Sequence, residues 1–283
     1  MPRYPVALIL ATLAAAPAVA QDTAAPTAPP APWRHRLVGG LTATQVQLKD
    51  WSQGGEDALA WGLTVDGEST YEGGKHRIAN AYKLAFGQTK LGSGGIRKTD
   101  DRIDLQSTYT YKVGLPVNPY VAASLKTQFA RGYVYEPVRV PISGFFDPGY
   151  LTQSAGVGYE PRTDVRTRLG LGLREVFTRD YPRYADDPET ATIEKTSVDG
   201  GLESVTSGEW QLRDNLRLTS KLEIFAPFTD LGGTVLHNDN RLSVKVSEYV
   251  NVNLNLEVVQ DDKASKNVQV KQVLALGLTY NFI

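Results

Sequence analysis

Apolar and polar residues alternate with a period of two along most of the chain beyond residue 35. The cleanest run is Val250-Asn251-Val252-Asn253-Leu254-Asn255-Leu256-Glu257-Val258, where one face is wholly aliphatic and the other is three asparagines and a glutamate. A helix would spread that pattern around its circumference, whereas a strand separates it completely. From Arg102, residues Ile103, Leu105, Tyr109, Tyr111 and Val113 share a face opposite Asp104, Gln106, Thr108, Thr110 and Lys112. Leu216, Leu218, Leu222 and Ile224 oppose Arg217, Thr219, Lys221 and Glu223, and Leu242, Val244 and Val246 oppose Arg241, Ser243, Lys245 and Ser247. Weaker segments lie near 37–48, 58–71, 76–88, 119–131, 149–160, 165–176 and 195–209. With a final run from Val268 the sum is about twelve strands, an even number as expected for a single-chain outer-membrane barrel.

The connections sort by length in strict alternation. Numbered from the first strand, the odd ones are long, at 49–57, 89–101, 132–148, 178–194, 227–240 and 260–267. The even ones are tight, at 72–75, 114–118, 161–164, 211–215 and a turn at Glu248-Tyr249. A soluble sandwich has no reason to sort its loops in this way. Long extracellular loops alternating with short periplasmic turns are expected of a membrane barrel. In the last run Val270, Leu274, Leu276, Leu278, Tyr280 and Phe282 share one face, which resembles the terminal signal that outer-membrane barrels present to their assembly machinery, although Ile283 follows Phe282.

The N-terminus reads as a cleaved signal peptide over residues 1–20. Arg3 gives a positive start, an apolar run covers 6–16, and Ala18-Val19-Ala20 is a small-x-small cleavage site. Residues 21–34 are rich in Ala, Pro and Thr and read as a linker, leaving 35–283 as the barrel domain. Mean hydropathy is slightly negative, -0.27, which suits a barrel whose alternate residues face a polar lumen. A formal net charge of -1 gives no ground for a nucleic-acid partner. With no cysteine, disulfide scaffolds, thiolate metal sites and cysteine nucleophiles are excluded.

Several blocks stand out: Trp51-Ser52-Gln53-Gly54-Gly55-Glu56, Arg97-Lys98-Thr99-Asp100-Asp101-Arg102, Leu125-Lys126-Thr127-Gln128-Phe129, Ile142 to Leu151, and Ser220-Lys221-Leu222-Glu223-Ile224-Phe225. Together they resemble an uncharacterised outer-membrane β-barrel family of the domain-of-unknown-function series, number three thousand seventy-eight. The resemblance implies a barrel and an outer-membrane location. It brings no substrate, cofactor or catalytic residue.

If the apolar face meets lipid, the other face lines the interior. That places Arg102, Lys112, Lys126, Arg166, Arg168, Arg174, Arg217, Lys221, Arg241, Lys245 and Lys271 inside, with Arg77, Lys83 and Lys195. The acidic set assigned by the same parity is smaller: Asp66, Glu68, Asp104, Glu160, Asp199, Glu203, Glu223 and Glu257. An excess of positive charge would favour anions in a pore; the alternative is that the charges pair across a filled lumen. Inward glycines at Gly170, Gly172, Gly201 and Gly277 either make room for a ligand or ease strand bending. Phe145 and Phe146 are candidates for a loop constriction at the mouth, the alternative being packing at the rim.

Catalytic and metal chemistry is thinly supported. Asp100, Asp101, Asp186, Asp187, Asp261 and Asp262 form acidic doublets on the expected outer side and are the only metal candidates, with His237-Asn238-Asp239 in another long loop. Solvated loop carboxylates are the ordinary alternative. The three histidines are dispersed, and no nucleophile motif is present. Gly73-Gly74-Lys75 lacks the serine or threonine of a phosphate loop and reads as a turn. Trp51, Trp61, Trp210 and the tyrosines read as lipid-facing or interfacial anchors.

The sequence therefore predicts an all-β, transmembrane antiparallel up-and-down barrel in a bacterial outer membrane. The leading expectation is a porin-like channel or transporter with a basic-biased lumen for small polar or anionic solutes. The alternative is a non-conducting structural or interaction barrel whose outer loops bind surface lipid, metal or a protein. No enzymatic activity and no cofactor are expected. The partners are outer-membrane lipid and the barrel assembly machinery.

Overall fold

A computed structural model describes residues 32–48, 55–135, 137–187 and 190–282. The expected signal peptide, all but the end of the linker, and Trp51 lie outside the described residues. The strands are β1 (Trp33–Val46), β2 (Ala58–Gly73), β3 (His76–Leu91), β4 (Arg97–Tyr111), β5 (Val117–Thr127), β6 (Gly132–Val134) and β7 (Val140–Ser143). They continue as β8 (Gly149–Arg162), β9 (Val165–Phe177), β10 (Thr196–Arg213), β11 (Leu216–Pro227), β12 (Val235–Lys245), β13 (Val250–Asp261) and β14 (Ser265–Asn281). Twelve of them pair antiparallel with their neighbours into one closed barrel, while β6 and β7 form a separate small hairpin in the connection after β5. The barrel closes where β1 meets β14, with Val38 opposite Asn281 and Leu41 opposite Leu278. Closure matters because hydrocarbon offers no hydrogen bonds, so every backbone group must find its partner within the sheet.

Burial runs opposite to that of a soluble protein. Leu171 and Leu274 are 64% and 71% exposed, whereas Arg174 and Glu203 are 9% and 6% exposed. Leu169, Leu171 and Leu173 on β9 and Leu274, Leu276 and Leu278 on β14 belong to an apolar wall on the outside. Among the described residues no helix is long and apolar enough to cross a membrane. The crossing is made by strands, and this closed barrel with an apolar wall belongs in an outer membrane.

The connections separate by end. At the end holding both termini of the barrel they span 74–75, 112–116, 163–164, 214–215 and 246–249. At the other they span 47–57, 92–96, 128–148, 178–195, 228–234 and 262–264. Outward aromatic residues gather near the first end. Trp33 contacts Tyr71 with ring centroids 5.3 Å apart, and Tyr280 meets Phe282 at 5.0 Å. Such a belt marks a lipid–water boundary. Tyr120 and Tyr150 depart from the anchor role, since they share the inward parity of Lys126 and Arg174.

Three outer connections are shorter than the sequence pattern suggests, because the strands run further out. On β4 a register shift lies opposite Gly87/Gln88, so that Gly87 pairs with Asp100 and Gln88 with Lys98. The shift reverses the parity and interrupts the alternation just where the sequence reads as loop. On β12 the outward positions Asn238 and Asn240 are polar, which hides the strand. His237-Asn238-Asp239 therefore lies on β12 and not in a loop.

Candidate functional site

The inward face converges on a layer of charged side chains. In barrel order β4 and β12 stand six places apart in a ring of twelve, on opposite walls. Arg102 on β4 reaches across to Asp239 Oδ2 on β12 at 3.0 Å and to Glu257 on β13. Lys83 on β3 donates to the same Asp239 oxygen at 3.0 Å. Lys126 on β5 pairs with Glu223 on β11, whose other oxygen lies 2.6 Å from Lys221 Nζ. His237 joins the two groups. Its Nε2 lies 2.8 Å from Glu257 Oε1 and its Nδ1 lies 2.9 Å from Lys126 Nζ. With the proton on Nε2, the neutral ring donates to Glu257 and accepts from Lys126, which satisfies both contacts. Gln106 completes the layer by donating to Asp104 and Glu223 at 3.1 and 3.2 Å.

Two cavities flank this layer and share no lining residue. The outer one, about 590 Å³, lies toward the long loops and is lined there by Tyr133, Tyr135, Ile142, Tyr184 and Ala264. The inner one, about 480 Å³, lies toward the short turns and includes Thr163 and Asp164. Charges balance in the inner cavity, and in the outer one seven carboxylates outnumber five cations. Arg36, Lys83, Arg166, Lys221 and Arg241 face Asp66, Glu68, Asp164, Glu209 and Asp239 in the inner cavity. In the outer one Lys98, Arg102, Lys126, Arg174 and Lys271 face Asp100, Asp101, Asp104, Glu203, Glu223, Glu257 and Asp261. The carboxylates of Asp100, Asp239 and Asp261, which the sequence pattern assigns to loops, supply part of this negative charge. Arg174 pairs with Asp261 at 2.6 Å, Lys271 with Asp100 at 2.5 Å and Arg241 with Asp66 at 2.9 Å.

The other residues expected in the lumen spread along its length. Arg168 sits below the outer cavity, donating to Thr108 at 3.0 Å and pairing with Glu203 at 3.3 Å. Lys112 and Arg217 lie near the short-turn rim, where they meet Glu72 and Glu209. Arg166 approaches Glu160 at 3.5 Å. Lys245 ends β12 exposed, and Lys195 falls in the connection before β10. The inward glycines are filled from within the chain. A Cβ at Gly170 would lie 2.6 Å from the Tyr120 hydroxyl, and one at Gly201 would lie 2.9 Å from the Phe225 ring.

Phe145 and Phe146 do not constrict the mouth. Phe145 is 64% exposed and neither lines the outer cavity. A φ of 53° at Phe146 turns the chain just before β8, where the Phe146 N–H donates to the Gln128 carbonyl at 3.2 Å and the Phe146 ring lies over Gly149. The mouth is narrowed instead by the 178–195 connection, where Tyr184 and Ala185 pack on Val176 with Tyr150 and Ala264 around them. The acidic doublets do not assemble either. Asp101 is taken by Lys98 at 2.7 Å and by the backbone N–H groups of Phe129 and Ala130. Asp186 accepts from the backbone of Glu194 at 3.0 Å, Asp187 lies beside it, and Asp262 is in the 262–264 turn. Among the described residues no group of three His, Cys, Asp or Glu side chains is placed to hold a metal ion. In that outer loop hydrogen bonds from Thr192 and Thr190, at 2.6 and 2.7 Å, and from the Asp187 backbone hold the Glu194 carboxyl down to about 2.

Residues 43–133 match the family described as "Protein of unknown function (DUF3078)". No curated protein matches the chain. Among solved structures, the translocator domain of the autotransporter NalP from Neisseria meningitidis is similar at 14% identity and a TM-score of 0.38, over 88% of this chain and 87% of that one. An outer membrane channel from Pseudomonas putida F1 is similar at 11% identity and a TM-score of 0.39, over 92% and 98%. The CymD monoaromatic hydrocarbon channel is similar at 10% identity and a TM-score of 0.34, over 87% of each chain. The closed ladder and the apolar wall make the chain an outer-membrane β-barrel, and its residues 43–133 resemble the DUF3078 family.

Proposed function

We propose that this barrel is a channel or transporter for small polar solutes, held shut at rest by the ion-pair layer between its two cavities. One observation carries the reading. The outer and inner cavities are parted by side chains of Lys83, Arg102, Lys126, Lys221, Glu223, His237, Asp239 and Glu257, all on barrel strands. Side chains exchange rotamers far more readily than a folded plug leaves a barrel, so such a layer suits a gate. A balanced inner cavity and an outer one in which carboxylates outnumber cations favour polar solutes in place of an anionic cargo.

A second reading rests on the same layer. Pairs that bridge opposite walls also brace a barrel, and a non-conducting structural protein would use them so. Conductance in a planar bilayer separates the two. The purified protein should give small or rare current steps, and Arg102→Ser combined with Glu257→Ser should raise the step size several-fold. Because one cation and one anion leave together, Asp239 keeps Lys83 as its partner. If both proteins are silent while heat-modifiable gel migration shows folded barrels, the channel reading fails and the bracing role stands.

A further inference from the structure

The lipid-facing wall of β11 to β13 is aliphatic except at its middle. Leu216, Leu218, Leu222 and Ile224 of β11 share the outward parity with Leu236, Leu242 and Val244 of β12. Val252, Leu254 and Leu256 continue it on β13. Within that field stand Ser220 and Asn240, near the middles of β11 and β12, and Asn238, one outward position further toward the long loops. Ser220 lies directly opposite Asn240. Its hydroxyl donates to Asn240 Oδ1 at 2.7 Å, and Asn240 Nδ2 donates to Asn238 Oδ1 at 2.5 Å. Asn238 Nδ2 reaches the Lys221 carbonyl at 3.2 Å. An amide carries two N–H donors and a two-lone-pair oxygen. Among the described residues each of these amides therefore keeps one N–H without an acceptor, on a half-exposed side chain facing hydrocarbon.

We propose that this seam is the contact between two copies of the chain in the membrane. Lipid tails have no acceptor to offer, and the polar headgroups lie at the strand ends, not at their middles. What the seam needs is another surface bearing carbonyl or hydroxyl oxygens at the same depth. A second copy presents that surface. Because each amide both donates and accepts, the patch is self-complementary about a two-fold axis, as a closed symmetric dimer requires. The flanking leucines would pack around it.

The sequence contains no cysteine, so single cysteines report on this contact without background. Leu242→Cys, beside the seam, should form a disulfide-linked dimer on oxidation in bilayers, and Leu171→Cys, on β9 three strands away from β12, should not. Replacing both Asn238 and Asn240 by leucine should abolish the Leu242→Cys cross-link. Subunit counting by single-molecule photobleaching should then show one copy where the natural protein shows two, with heat-modifiable migration unchanged. Equal cross-linking at Leu171→Cys and Leu242→Cys, or single copies of the natural protein at dilute protein-to-lipid ratios, would overturn the proposal. So would a different polypeptide cross-linked through Leu242→Cys in cells.

Discussion

Gly156 and Gly170 face each other on β8 and β9, and β8 and β9 approach there more closely than side chains would permit. A Cβ at Gly170 would meet the backbone of Ala155 as well as the Tyr120 hydroxyl. Gly170→Ala should therefore destabilise the barrel by about 1–3 kcal/mol, the range for forcing an extra group into a packed site. Urea unfolding in lipid vesicles checks it, and an unchanged midpoint contradicts the packing described. The charged layer predicts a contrast between two glutamates. Glu223→Gln leaves Lys126 and Lys221 without their shared carboxylate, a loss of roughly 3–5 kcal/mol for a desolvated pair. Glu209→Gln, at the exposed contact with Arg217, should cost less than about 1 kcal/mol. Parity alone placed Glu223 and Arg102 on the inner face. Which partner each meets depends on which strands oppose across the ring, and that is not written in any local stretch of sequence.

At the scale of elements, legibility follows the contrast between the two faces of a strand. β13 reads clearly because valine and leucine alternate with asparagine throughout. The outer half of β4 and the middle of β12 do not, since a bulge reverses parity in the first and outward asparagines blunt the contrast in the second. The same cause moved Asp100 and Asp239 from expected loops to the inner wall. Leu171, at the middle of β9, tests the assignment of faces. Leu171→Arg should cost about 2–4 kcal/mol if that position sits at the bilayer midplane, and almost nothing if it faces water. Refolding equilibria in short-chain lipid measure it. In the 178–195 connection Glu194 titrates at about 2, below the ordinary 4.5. Its carboxylate therefore stabilises the loop fully above about pH 4.5, and that contribution is lost as pH falls toward 2. Hydrogen exchange of the loop amides should rise over that interval. With Thr190→Ala and Thr192→Val the loop should exchange faster already at neutral pH and the further rise between pH 4.5 and 2 should shrink, and an undiminished rise would remove the threonines as its cause.

For the whole molecule, strand number, antiparallel order, and long loops segregated to one end were all present in the spacing of the sequence. The division of the lumen was not, because it arises from contacts between walls separated by more than a hundred residues, as in Arg102 with Asp239. Single cysteines placed in the two cavities examine that division most directly. Thr152 lines the outer cavity and Ser207 the inner one. A charged, membrane-impermeant thiol reagent added on the long-loop side should label Thr152→Cys quickly. It should leave Ser207→Cys unlabelled until Arg102→Ser and Glu257→Ser are introduced together, after which labelling should rise at least about tenfold. Rapid labelling of Ser207→Cys from that side in the otherwise natural barrel would mean that the lumen stands open and that the ion-pair layer closes nothing.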